Sequence, residues 1–127
     1  MKRIIPLFAL ILLSANFISA QPKEAVIVVI DSAVYDFGTI KEKNGPVTCT
    51  FKIKNEGELP LIISKIFSSC NCATTEWNKS PIEAGKTGDI IVTFNPAERP
   101  GPFTRSISIY SNGKVGSLVL TIKGNVE

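Results

Sequence analysis

Apolar residues fall at every second position through much of this chain. Val47, Cys49, Phe51 and Ile53 alternate with Thr48, Thr50, Lys52 and Lys54, the spacing of a strand with one buried face. That parity turns Cys49 inward beside Phe51. Ile90, Val92 and Phe94 repeat the pattern, as do Phe103, Ile107 and Ile109, and then Leu118, Leu120 and Ile122. Val34 to Phe37 alternates before Gly38. Leu61 to Ile63 with Ile66 reads as a strand interrupted by a bulge, because the apolar phase slips between Ile63 and Ile66.

Between these runs lie residues that break ladders. Asn44-Gly45-Pro46, Asn55 to Glu58, Pro81 to Gly88, Asn95 to Pro102 and Ser111 to Lys114 read as turns or loops. No segment beyond residue 20 carries the i, i+3, i+4 spacing of an amphipathic helix. About seven short strands with frequent turns predict an all-β fold, an antiparallel immunoglobulin-like β-sandwich. Val26 to Ile30 is a continuous β-branched run, which fits either an edge strand or a flexible lead-in.

The N-terminus reads differently. Lys2 and Arg3 precede an apolar run from Pro6 to Phe17, and Ser19-Ala20 ends it before polar Gln21 to Glu24. This is the layout of a secretory signal peptide over residues 1–20. Its apolar core is shorter than the ~20 residues of a spanning helix, so no stable membrane span is expected after cleavage. The expected location is the periplasm or cell envelope of a Gram-negative bacterium. Cleavage leaves residues 21–127, 107 of the 127 residues, the length of one domain. It also lowers Lys+Arg from 14 to 12 against 11 acids, a net charge of +1. No electrostatic footprint for nucleic acid is present.

Five short stretches carry a resemblance: Tyr35-Asp36-Phe37-Gly38-Thr39-Ile40, Phe51 to Asn55, Ser69-Cys70-Asn71-Cys72, Val92 to Pro96, and Pro100 to Phe103. In that order they resemble the DUF1573 family of exported bacterial domains, over a core of about residues 34–126. Hydin-type and major-sperm-protein-like domains are similar more distantly. The family pattern reads Cys-Gly-Cys followed by Thr; here Asn71 and Ala73 stand at the glycine and the threonine. The resemblance implies an immunoglobulin-like fold and an exported setting. It implies no activity and supplies no catalytic residue.

The residue inventory narrows the chemistry. The chain has no histidine and its single methionine is Met1. That removes Ser-His-Asp and Cys-His nucleophile systems, histidine-based metal sites and Met-rich copper sites. No catalytic constellation, metal site or cofactor is expected, and the chain reads as a non-enzyme.

The cysteines are the open question. Cys49, Cys70 and Cys72 allow three single pairings, each leaving one thiol over. An exported setting favours a disulfide. If Cys70 and Cys72 were extended, their Cα atoms would sit roughly 6.5–7 Å apart, at or beyond the ~6.8 Å disulfide limit, so closing them needs a bend. Asn71 tolerates the backbone angles of such a bend better than most residues. A cross-sandwich link from Cys49 to Cys70 or Cys72 is the other structural reading. A redox-active dithiol is a third, and soft-ion binding by two or three thiolates a fourth. Lys65 is the only cation within five residues of Cys70.

Two functions from different classes follow. One is a non-catalytic binding or structural module of the cell envelope, its partner another envelope protein. Its candidate binding loops are Asn78 to Gly88, next to Trp77, and Asn95 to Phe103, with Arg99 as an anchor. The alternative is a thiol–disulfide redox or soft-metal protein acting through Cys70 and Cys72, with Cys49 as a resolving thiol.

Overall fold

The computed structural model describes residues 23–127. The expected signal peptide lies outside the described residues. Among the described residues, eight strands run in chain order: β1 (Ile27–Val29), β2 (Val34–Ile40), β3 (Val47–Asn55), β4 (Ile63–Ser68), β5 (Ala73–Trp77), β6 (Thr87–Phe94), β7 (Gly101–Ser111) and β8 (Ser117–Val126). A 3-10 turn, Glu42–Asn44, sits between β2 and β3. Two sheets form, β1-β3-β6-β5 and β2-β8-β7-β4. The fold is the expected all-β sandwich.

The strands exist for the reason the alternation gives. Cys49, Phe51 and Ile53 on β3, Ile90, Val92 and Phe94 on β6, and Ile107, Ile109, Leu120 and Ile122 opposite them are all buried. Two inner faces of a sandwich bury every second side chain from each sheet. Phe94 stacks on Phe103 across the layers, ring centroids 4.0 Å apart. Phe37 packs beside Phe103 at 6.4 Å.

Several local details differ from the sequence reading. One pair, β2 with β8, is parallel, so the second sheet is mixed. β5 is an eighth strand: Ala73, Thr75 and Trp77 alternate with Thr74 and Glu76, a short period-two run that the neighbouring cysteines obscure. β7 begins at Gly101, inside the expected loop, because the β7–β8 ladder extends to Gly101 opposite Val126. The β7–β8 connection also runs beyond Lys114, since pairing resumes only at Ser117. Other details agree with it. The bulge in β4 falls between Ile63 and Lys65. β1 pairs antiparallel with β3, which makes it an edge strand.

β4 and β5 are edge strands of different sheets. The chain therefore crosses from one layer to the other between Ser68 and Ala73, and the Cys-x-Cys stretch is that crossing.

Candidate functional site

At the crossing, the backbone folds into a tight turn in which the Ala73 N–H donates to the Cys70 carbonyl at 3.2 Å. The turn supplies the bend that an extended Cys-x-Cys lacks. Cys70 and Cys72 are disulfide-bonded, their Cα atoms 5.1 Å apart. The Ser68 hydroxyl donates to the Cys70 carbonyl at 2.7 Å. The Asn95 N–H reaches the Cys72 carbonyl at 2.8 Å, and the Ser69 N–H the Ser106 carbonyl at 3.0 Å. Both layers thus hold the turn. A bond spanning one intervening residue adds little chain-entropy stabilisation, about 1.6 kcal/mol against about 3 for a 15-residue loop.

The two sulfurs have unequal surroundings. Cys72 is 4% exposed, whereas Cys70 is half-buried. The Cys72 N–H donates to Cys70 Sγ at 3.0 Å. Arg99 Nη2 approaches the same sulfur at 3.9 Å. Arg99 arrives from the β6–β7 loop, 29 residues away in sequence. Glu98 shapes that approach with a left-handed φ of 60°. Its N–H is fixed at 2.7 Å on Glu42 Oε1. Counting charges near Cys70 along the chain missed this guanidinium, since only loop packing delivers it.

Cys49 takes no part in the bond. It lies in the middle of β3 opposite Val92, facing the core. Burial pushes its thiol from an ordinary 9.0 up to about 11. The cross-sandwich staple is absent: Cys70 and Cys72 are joined to each other, and Cys49 is a free thiol enclosed in the core. The shift has a measurable consequence. Between pH 9 and 11 the folded chain keeps a proton that the unfolded chain releases, so stability is full below pH 9 and falls as pH rises through this window. The expected loss is about 1.4 kcal/mol per pH unit, read as the difference between wild type and Cys49→Ala in denaturant melts. Identical alkaline losses in the two proteins would remove the assignment.

Trp77 stands at the far end of β5 from the cysteines. It pairs with Ile90 where the two layers open. A groove of about 580 Å³ forms there, with Ile63, Trp77, Pro81, Ile82 and Ile90 among its walls and Glu76 and Lys86 among its polar groups. Lys79 Nζ lies over the indole, 3.2 Å from the ring centroid. The indole N–H is buried without a hydrogen-bond acceptor among the described residues.

One residue that the sequence reading placed in a turn organises this end. Asn55 closes β3 and is fully buried. Its Oδ1 accepts from the Val26 N–H at 3.2 Å and the Gly57 N–H at 2.9 Å. Its Nδ2 donates to the carbonyls of Leu59 at 2.7 Å and Ile82 at 2.9 Å. The amide therefore joins the lead into β1, the following turn and the groove wall. Gly57 completes the join, since a Cβ there would meet the Ala25 backbone at 2.7 Å. The residues singled out from the sequence thus divide between two ends: Cys70, Cys72 and Arg99 meet at one, Trp77 and the 78–88 loop form the other, and Cys49 is in the core.

This architecture defines the class: an immunoglobulin-like β-sandwich with a disulfide at its layer crossing. Residues 28–126 match the family model described as protein of unknown function (DUF1573), and the chain belongs to that family. No curated protein matches its sequence. Among solved structures it is similar to a protein of unknown function from Porphyromonas gingivalis W83, with TM-score 0.72 and 20% identity over 87% of this chain and 51% of that one. The secreted serine protease VesC from Vibrio cholerae also contains a similar unit, with TM-score 0.60 and 14% identity, covering 80% of this chain and 23% of that one. At these identities the likeness is one of fold. The chain spans about half the length of the Porphyromonas protein and less of VesC.

Proposed function

We propose that this chain is an exported, non-catalytic binding module of the cell envelope that holds an extended segment of another envelope protein. The observation that carries the reading is the groove beside Trp77. Its size and mixed walls, apolar Ile63, Trp77, Ile82 and Ile90 beside charged Glu76, Glu83, Lys86 and Asp89, suit a side chain with an apolar body and a polar tip. It also lies against β5, an edge strand whose outer side has no strand beside it among the described residues. A partner strand added along β5 gains main-chain hydrogen bonds and places a side chain in the groove. The positive, then apolar, then small-residue order of residues 1–20 supports export. Among the described residues no helix is long and apolar enough to cross a membrane.

Glu76 is exposed on β5 and lines the groove. Glu76→Arg changes this rim without touching the core, whereas Lys123→Glu alters the exposed face of β8. A pull-down from envelope extract is expected to retain a stoichiometric partner with wild type and Lys123→Glu, and to lose it with Glu76→Arg. Because Trp77 is the only tryptophan, binding of that purified partner should shift the intrinsic emission. An extract that yields no stoichiometric partner, or a partner indifferent to Glu76, would overturn the reading.

A further inference from the structure

The asymmetry of the layer-crossing disulfide goes beyond a binding role. We propose that Cys70–Cys72 is a thiol–disulfide exchange site that passes its disulfide to a polypeptide carrying two cysteine thiols. Three observations converge. Cys70 is half-buried, whereas Cys72 is enclosed. Two donors, the Cys72 N–H and the Arg99 guanidinium, point at Cys70 Sγ. The bond spans a single intervening residue, so its closure gains little from chain entropy.

The donors matter when the bond opens. A thiolate beside a guanidinium and a backbone N–H is favoured over the thiol. Holding Cys70 as a thiolate stabilises the reduced protein, and a stabilised reduced form makes the disulfide the oxidant. Other charges nearby are engaged elsewhere or face away. Lys65 on β4 lies over the Tyr110 ring. Arg105 on β7 donates to the Thr104 carbonyl. Glu76 on β5 is exposed at the opposite end of its strand. Glu98 precedes Arg99 in the loop and is exposed.

The exchange runs in two displacements. A thiolate of the client attacks Cys70 Sγ; the Cys70–Cys72 bond breaks, and Cys72 leaves with the electron pair and takes up the equivalent of the proton that the client thiol gave up. The client is then joined to Cys70. Its second thiolate attacks its own sulfur in that mixed disulfide, the bond to Cys70 breaks, and Cys70 departs as the thiolate that Arg99 receives. The client loses two electrons and two protons and gains one disulfide. This protein gains both electrons and, after protonation, two thiols. Each oxidised chain performs one such exchange.

The test uses the exported chain with Cys49→Ala as background and a reduced synthetic dithiol peptide as client. The oxidised protein is expected to convert up to one equivalent of peptide to its disulfide, while Cys70 and Cys72 become alkylatable. Cys72→Ser, loaded at Cys70 as a mixed disulfide with the peptide, should release the oxidised peptide; Arg99→Gln in that protein should slow release about 10-fold, and Arg99→Lys should restore most of it. In the fully reduced protein, iodoacetamide should modify Cys70 faster than Cys72, and Arg99→Gln should narrow the gap. A merely structural Arg99 would leave both the release rate and the gap unchanged. An oxidised protein that leaves the dithiol peptide reduced, or equal alkylation of the two cysteines, would overturn the proposal. The first measurement needs no Arg99 variant and so stands even if that loop tolerates no change.

Discussion

Asn55→Ala is expected to destabilise the fold by about 3 kcal/mol, a large share of the stability of a domain this size. All four hydrogen-bonding positions of the amide are used, by Val26, Gly57, Leu59 and Ile82. Truncation removes these bonds and leaves the Val26 and Gly57 N–H groups and the Leu59 carbonyl to find water, while the Ile82 carbonyl keeps the Leu61 N–H at 2.8 Å. Each orphaned group costs about 1–3 kcal/mol when it stays buried, and the nearby turn lets some of them hydrate, which brings the total down. Asn55→Asp should be at least as damaging at neutral pH. It keeps the acceptor but replaces the donor with a charge facing two carbonyls, inside a buried site. Urea melts would measure both variants. A loss under about 1 kcal/mol for alanine would mean that the four bonds hold no more than a solvated turn does. Because Asn55 also fixes the Ile82 carbonyl, Trp77 emission should shift in the native baseline before unfolding.

Phe94→Ala should cost about 3–5 kcal/mol and lower Tm by roughly 15 °C or more. Phe94 is fully buried, stacked on Phe103 at 4.0 Å. On its own sheet it stands between Val47 of β3 and Ala73 of β5. Removing the ring empties the core at the crossing end, where both layers contribute, and the flanking β-ladders resist collapse into the space. Asn95, the next residue, holds the Cys72 carbonyl, so the disulfide turn should also open more readily to reductant. Phe67→Ala is the control: Phe67 is 60% exposed on β4, and its loss should stay below about 1 kcal/mol. Equal losses at the two phenylalanines would contradict the core assigned here.

Much of this was legible in the residue order. Strict alternation on β3, β6 and β8 identified the buried faces, because a strand turns successive side chains to opposite sides. The slip between Ile63 and Ile66 located a real bulge for the same reason. β5 was harder to see, because its inward set includes small Ala73 and polar Thr75. Asn55 looked like an ordinary turn residue. Nothing local distinguishes an asparagine that faces solvent from one whose four partners lie on three separate segments.

The candidate sites divide along the same line. The Cys-x-Cys spacing stated that a bond between Cys70 and Cys72 requires a bend, a matter of chain geometry within three residues. The sequence by itself therefore determined the strand parities, the inward Cys49 and that requirement. Only the tertiary structure decided which cysteines join, that Arg99 comes to rest at Cys70 Sγ, and that Trp77 opens a groove at the opposite end of β5. The reason is range. Alternation and turn preference act between neighbours, whereas each of these contacts depends on how two layers and their loops pack across many intervening residues.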